Sequence, residues 1–172
     1  MENSELSGLI RRVAAGDADS LEKIFLGMKD SILAFSMTFV GSRHTAEDVL
    51  QETMLKVWKG AGGYRPTGSA RTWVLTIARN TAVDFIRRAS REIPSEDGDG
   101  SFSDEKEPDT APGELAEMVE RLPAVERRIV LLHAVSGLKH REIAELLHLP
   151  LGTECRKYSE SIRRLRRACE DR

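Results

Sequence analysis

Cysteine is nearly absent from this chain: Cys155 and Cys169 are the only two among 172 residues. Two thiols cannot build a disulfide framework. With four scattered histidines (His44, His133, His140, His148) they give no zinc-binding spacing. Long apolar runs are also missing. No stretch approaches the roughly 18 consecutive apolar residues of a membrane-spanning helix. The opening Met1-Glu2-Asn3-Ser4-Glu5 lacks the basic-then-apolar pattern of a secretory signal. Gly60-Ala61-Gly62-Gly63 is not followed by the Lys-Ser/Thr that a phosphate-binding loop requires. Neither alternating strands nor internal repeats are evident. No constellation of nucleophile, base and acid emerges. These absences point to a reduced, soluble, cytoplasmic protein with no membrane insertion, no metal, no cofactor and no catalytic residues.

What is present is charge, at 31% of residues, and it is segregated. The net charge of −2 conceals it. Residues 65–91 carry six basic side chains against Asp84 alone, whereas 92–120 carry eleven acids against Lys106 alone. Residues 153–172 return to seven basic against four acidic. Basic blocks in structured segments attract polyanions at long range and are candidate nucleic-acid faces.

Apolar residues recur at helical spacing. Leu6, Leu9, Ile10 and Val13 predict a short helix ending at Ala15-Gly16-Asp17. Asp19 or Ser20 can cap the next, whose inward stripe is Leu21, Ile24, Phe25, Met28, Ile32, Phe35 and Phe39. Thr45 is expected to cap a third, with Ala46, Val49, Leu50, Thr53, Met54, Val57 and Trp58 inward. A glycine-rich loop leads to a fourth, about 71–91, with Val74, Ile77, Ala78, Thr81 and Phe85 inward. Residues 92–113 bury too little apolar surface to offset the entropy of ordering and read as an acidic linker, extended by self-repulsion. Beyond it, Leu115, Met118, Val119 and Leu122 start a second helical group. Pro123 suits the first helical position, and Glu126 the first turn, where the helix dipole favours acids. Arg141–Leu147, a break at His148-Leu149-Pro150, and a long basic helix from Gly152 to about Cys169 form a helix-turn-helix pattern. The small Ala144 lets those two helices approach closely. The expected fold is all-α: two small helical domains, 1–91 and 114–172, joined by a flexible acidic linker.

Three places carry binding chemistry. The helix 46–59 presents Glu47, Asp48, Gln51, Glu52, Lys56 and Lys59 outward. On the fourth helix Asn80, Asp84, Arg87, Arg88 and Arg91 share one face. There arginines can neutralise phosphates while Asn80 reaches a base edge. Trp73 reads as a core residue, and Tyr64, beside the glycine-rich loop, as a contact on which an unstacked base could rest. The last helix would enter the major groove by its N-terminus, with Arg156 and Lys157 reaching base edges or phosphates, Thr153 a phosphate, and Arg163, Arg164, Arg166 and Arg167 following the backbone. On these residues alone, a promoter-directing factor, a polymerase-independent helix-turn-helix regulator and a protein-binding adaptor all remain open. The basic face at 65–91 beside an aromatic-bearing loop favours the first, because a sensor or adaptor has no need of it.

Four stretches also stand in a recognisable order: Ala46-Glu47-Asp48-Val49-Leu50-Gln51-Glu52-Thr53; Thr72-Trp73-Val74-Leu75-Thr76-Ile77-Ala78-Arg79-Asn80 with Asp84, Arg87 and Arg88; Leu122-Pro123 to Arg128; and Glu142-Ile143-Ala144 followed by Pro150-Leu151-Gly152-Thr153. With them the chain resembles a bacterial RNA polymerase sigma factor of the extracytoplasmic-function (ECF) type of the sigma-70 family, which carries only regions 2 and 4. The resemblance implies a region 2 helical bundle and a region 4 helix-turn-helix. It implies an alternative transcription initiation factor rather than an enzyme. Asp48, Gln51, Glu52 and Lys56 would meet the clamp coiled coil of the largest subunit of core polymerase. Tyr64, Arg65, Asn80, Asp84, Arg87 and Arg88 would recognise and melt the minus-ten element of promoter DNA. Thr153, Arg156, Lys157, Ser159 and Arg163 would read the minus-thirty-five element, with the flap of the second-largest subunit as a further contact. The acidic linker would thread the polymerase cleft, and an anti-sigma factor would hold the protein inactive. The last helix departs from the family pattern. Glu154 stands for an apolar residue, Cys155 for a basic one, Arg156 for a small one and Glu160 for an arginine. A carboxylate facing phosphate is repulsive unless it pairs with Arg156 or Arg164, or accepts from a cytosine amino group.

Overall fold

A computed structural model describes residues 1–92 and 114–170, with side chains over 1–91 and 117–170. All but Glu92 of the expected acidic linker therefore lies outside the described residues. The chain divides into two compact units, one within Met1–Glu107 and the other within Pro108–Arg172. Both are helical, with no strand among the described residues. No helix among them is long and apolar enough to cross a membrane.

The first unit holds α1 (Asn3–Ala14), α2 (Ala18–Val40), α3 (Arg43–Gly60), a short 3-10 turn (Ala61–Gly63) and α4 (Ala70–Glu92). Helix α1 buries the expected Leu6, Leu9, Ile10 and Val13. Helix α2 is capped by Asp17, two to three residues earlier than expected: Asp17 Oδ1 accepts from the Ser20 amide at 3.2 Å and Oδ2 from its hydroxyl at 2.6 Å. Asp17 wins over Asp19 and Ser20 because its backbone is still extended (φ −78°, ψ 100°), which frees the side chain to turn back onto the first turn. The two Ser20 hydrogen bonds, helped by Arg12 at 3.9 Å, hold the Asp17 carboxyl below the usual carboxylate range. A depressed folded value means the cap contributes above the ordinary pKa of 3.8 and is lost as the pH falls through the lower folded value. Asp17→Ala should therefore lower the thermal midpoint at neutral pH, with a difference from wild type that closes in strong acid; melting curves across pH check this.

Ile24, Met28, Ile32 and Phe35 of α2 are buried; Leu21, Phe25 and Phe39 of the expected stripe are half-buried. Gly41, at φ +69°, ends the helix in the left-handed conformation that glycine adopts without a Cβ penalty. Ser42, not Thr45, caps α3. Ser42 is extended and accepts from the Thr45 amide at 3.4 Å, which leaves Thr45 inside the first turn. Ala46, Val49, Leu50, Thr53, Met54 and Val57 are buried as expected, but Trp58 is 38% exposed. Helix α4 buries Ala70, Val74, Leu75, Ala78, Thr81 and Ala82, while Ile77 and Phe85 are half-buried. Small residues at 78 and 82 allow close approach to α3 and α2. The buried Thr53 and Thr81 hydroxyls donate back to the carbonyls of Val49 and Ile77.

The second unit holds α5 (Glu114–Glu120), α6 (Ala124–Ala134), α7 (His140–Leu147) and α8 (Leu151–Glu170). Its core is Leu122, Ile129, Val130, Leu132, Leu138, Ile143, Ala144 and Leu146. The Leu115 side chain lies outside the described ones. Pro123 is the extended residue before α6 rather than its first helical one. Ala144, 3% exposed, sits where α7 meets α8. The turn between them passes through His148 at φ +55°, a left-handed conformation that costs a non-glycine residue about 1–2 kcal/mol.

Candidate nucleic-acid and protein interfaces

On α3, Asp48, Gln51, Glu52, Leu55, Trp58 and Lys59 fall within one face of the helix. Gln51 is exposed; Asp48 lies 4.0 Å from the His44 imidazole and Glu52 4.0 Å from the Lys56 ammonium. Leu55 at 54% and Trp58 at 38% exposure extend this polar stripe with apolar surface. Apolar character alone puts Trp58 inward and assigns Leu55 no role. Their helical angle matches the acidic stripe more closely than the buried one, and that signal could have found them. Lys56 differs from its expected outward role. It leans onto α4, donating to Thr81 Oγ1 at 3.1 Å and lying 3.6 Å from Asp84 Oδ2. Lys56 therefore ties α3 to α4. Asp84, a carboxylate that would repel phosphate on a basic face, is neutralised from behind.

Asn80, Arg87, Arg88 and Arg91 are exposed on α4, with Asn80 Oδ1 at 3.4 Å from the Arg79 guanidinium. Arg88 lies over the Phe85 ring, 5.8 Å from its centroid. Arg65 is exposed and donates to the Tyr64 carbonyl at 3.4 Å. Tyr64 corrects the expectation of an open stacking residue. It is 7% exposed, its hydroxyl donates to Ser7 Oγ at 3.2 Å, and its ring meets Trp73 edge-on at 5.1 Å. A tyrosine that finds both an apolar wall and a hydroxyl partner has no reason to stay in solvent.

Helix α8 carries two distinct polar faces. Thr153, Arg156, Ser159 and Arg163 share one. Arg156, Ser159 and Arg163 are exposed and Thr153 is half-buried. Arg156 pairs with Glu160 at 3.0 Å, and Ser159 donates to the Cys155 carbonyl. Lys157, Ser161 and Arg164 share the second face and converge on Glu126 of α6. The carboxylate lies 3.8 Å from Lys157, accepts from Ser161 at 3.3 Å and from Arg164 at 3.0 Å, and is 5% exposed. Lys157 is thus drawn away from the face that Thr153, Arg156, Ser159 and Arg163 share, on which it was expected. Glu126 anchors α8 to α6 in addition to favouring the helix dipole.

Glu154 corrects the expectation of an outward carboxylate. It is 0% exposed and lies between α7 and α8, with Oε1 3.0 Å from His140 Nδ1. Its partner is His140, not Arg156 or Arg164. The His140 ring stacks on His133 (4.8 Å, 9°), and Tyr158 meets both edge-on at 4.8 and 4.9 Å. His133 Nδ1 is 2.9 Å from the Leu138 carbonyl. Sequence reasoning treated these histidines as scattered. The turn after α6 and the i, i+4 pair Glu154–Tyr158 bring them together. Burial, and then the nearby Glu154 carboxylate, push the Cys155 thiol above the ordinary thiol range.

Residues 25–92 match the family described as Sigma-70 region 2, and residues 113–153 match Sigma-70, region 4. The chain is 27% identical over 161 residues to the RNA polymerase sigma-H factor of Pseudomonas aeruginosa, covering 84% of this chain and 83% of that one. It is 29% identical to the ECF RNA polymerase sigma factor EcfG of Rhodopseudomonas palustris, covering 78% of this chain and 77% of the other. Among solved structures, the sigma factor RpoE in complex with the anti-sigma factor NepR from Bartonella quintana has a similar fold. Its TM-score is 0.69 at 22% identity, over 87% of this chain and 96% of that one. CnrH in complex with the cytosolic domain of CnrY gives a TM-score of 0.67 at 18% identity, over 97% and 98%.

Proposed function

The chain belongs to the sigma-70 family, among its extracytoplasmic-function factors, and from that premise we propose how its two units direct core RNA polymerase to specific promoters. The stripe Asp48, Gln51, Glu52, Leu55 and Trp58 on α3 docks on the clamp coiled coil of the largest subunit. It combines acids with an exposed tryptophan, a residue type enriched where interfaces concentrate their binding energy. The α4 face takes the minus-ten element. Arg65, Arg87 and Arg88 neutralise phosphates, Asn80 contacts a base of the separated strand, and Tyr64 braces the loop carrying Arg65 against α1. In the second unit, Thr153, Arg156, Ser159 and Arg163 read the minus-thirty-five duplex, while Lys157 fixes the angle of α8 through Glu126. The polymerase flap would meet this unit as well. An anti-sigma factor is the expected regulator, by analogy with RpoE and NepR.

One observation carries this reading. Exposed basic faces stand on both helical units, on α4 and on α8, and the α4 face belongs to the same unit as the acidic-apolar stripe of α3. A free-standing duplex reader needs only the α8 face. Asn80→Ala should weaken promoter melting far more than duplex recognition, because losing one base contact costs about 1–3 kcal/mol and extrusion itself is only a few kcal/mol uphill. Permanganate footprinting of open complexes formed with core polymerase reads this directly. Thymine reactivity in the bubble should fall at least about tenfold, and wild-type reactivity would remove Asn80 from the melting step.

A further inference from the structure

The spacing of cysteines and histidines along the chain gives no metal motif, but the fold assembles three donors of different chemistry between α7 and α8. The ligand atoms of His140, Glu154 and Cys155 all lie within 4.8 Å of one another. Donors around one zinc ion, at bond lengths of about 2.0–2.3 Å, stand about 3.5 Å apart, so the cluster needs only a modest contraction. Glu154 is 0% exposed, and its Oε2 has no hydrogen-bond partner among the described residues. A buried carboxylate oxygen left unpaired is costly, and this one belongs to a side chain whose ligand atom stands within 4.8 Å of an imidazole nitrogen and a thiol sulfur. His140 is held in place by ring stacking on His133, itself fixed at the Leu138 carbonyl, and by the edge of Tyr158. Such outer contacts orient a metal-binding imidazole. The His140 side chain is 36% exposed, which leaves a path for the ion and a place for water as a fourth ligand.

We propose that His140, Glu154 and Cys155 bind a divalent transition-metal ion of borderline softness, zinc in the first place, which clamps α7 to α8. Imidazole, carboxylate and thiolate together suit zinc or cobalt; calcium and magnesium prefer all-oxygen sets. Binding replaces the thiol proton by the metal: the Cys155 S–H bond breaks, an S–metal bond forms, and one proton is released to solvent with no change of oxidation state. The site lies beside Arg156, so the ion would hold the start of the groove-reading face rigid. The proposal does not depend on which DNA that face reads.

Cobalt(II) tests it, added to the full-length reduced chain freed of metal. The expected result is an intense thiolate-to-cobalt absorption with four-coordinate visible bands, saturating at one equivalent and bleached by zinc. Cys155→Ser should abolish the thiolate band and Cys169→Ser should leave it intact. Glu154→Gln should weaken cobalt binding at least tenfold, with circular dichroism recording that the variant is folded. No thiolate band in the wild type would overturn the proposal and leave His140–Glu154 as a plain polar pair. So would a band that survives Cys155→Ser but is lost in Cys169→Ser, or unchanged affinity in a folded Glu154→Gln variant.

Discussion

Replacing Asp48, Gln51 and Glu52 together with alanine is expected to abolish stable association with core polymerase while leaving thermal unfolding nearly unchanged. The asymmetry follows from where the three side chains stand. Gln51 is exposed, and the ion-pair distances of Asp48 to His44 and of Glu52 to Lys56 are both 4.0 Å on the surface. Exposed pairs of that kind contribute about 0–1 kcal/mol each. Alanine is also the best helix former, so the substitutions should not disturb α3. At a protein interface the same groups act in a desolvated setting, where truncating a key residue costs about 2 kcal/mol or more. Three such losses correspond to a fall in affinity of at least about a hundredfold, even with strong non-additivity. Co-purification with core polymerase and a melting curve on the same preparation measure both halves. Undiminished co-purification would move the docking surface elsewhere, with Leu55 and Trp58 the next residues to test.

The second large effect concerns stability. His140→Ala is expected to destabilise the second unit by about 2–3 kcal/mol, because it leaves the fully buried Glu154 carboxyl without the imidazole 3.0 Å away. A unit of this size is stable by roughly 3–10 kcal/mol in all, so the loss removes a large part of its margin. The midpoint of its unfolding should drop by at least about 10 °C, measured in the presence of a chelator so that no metal contributes. The double variant His140→Ala, Glu154→Val should regain most of the loss, since an apolar replacement of a buried polar pair is often neutral or stabilising. If the double variant were as unstable as the single one, the cause would be lost ring packing against His133 and Tyr158 rather than a buried carboxyl left without a partner.

These two cases mark the boundary of what the residues alone disclose. Helices α1 to α4 and the helix-turn-helix were legible because their apolar residues recur at helical spacing and glycines punctuate them. Which residue caps a helix was not. Asp17, Asp19 and Ser20 crowd one turn, and only the extended backbone at 17 selects among them. Periodicity treats charges as outward, so it misses the burial of Glu154, and Glu126, found in the first turn of α6 as expected, carries no local sign of its place in the core. Their burial depends on cations and an imidazole from other helices, a tertiary fact with no local trace. Lys56 and Tyr64 were misjudged for the same reason, as each turns inward to a partner distant in sequence: Lys56 to Thr81 and Asp84, Tyr64 to Ser7. Trp58 failed in the opposite sense. Its apolar character suggests the core, while its angle on α3 puts it on the exposed stripe with Asp48, Gln51 and Glu52.

In this reading the chain gives core polymerase a promoter preference that neither partner has alone. Run-off transcription on a library of genomic promoter fragments tests it, comparing core polymerase alone, the protein alone and the two together. Discrete transcripts are expected from a subset of fragments only in the mixture, and they should be lost with the Asp48, Gln51 and Glu52 triple variant. A mixture no more active or selective than core polymerase alone, with the protein by itself binding intact duplex at nanomolar selectivity, would contradict it.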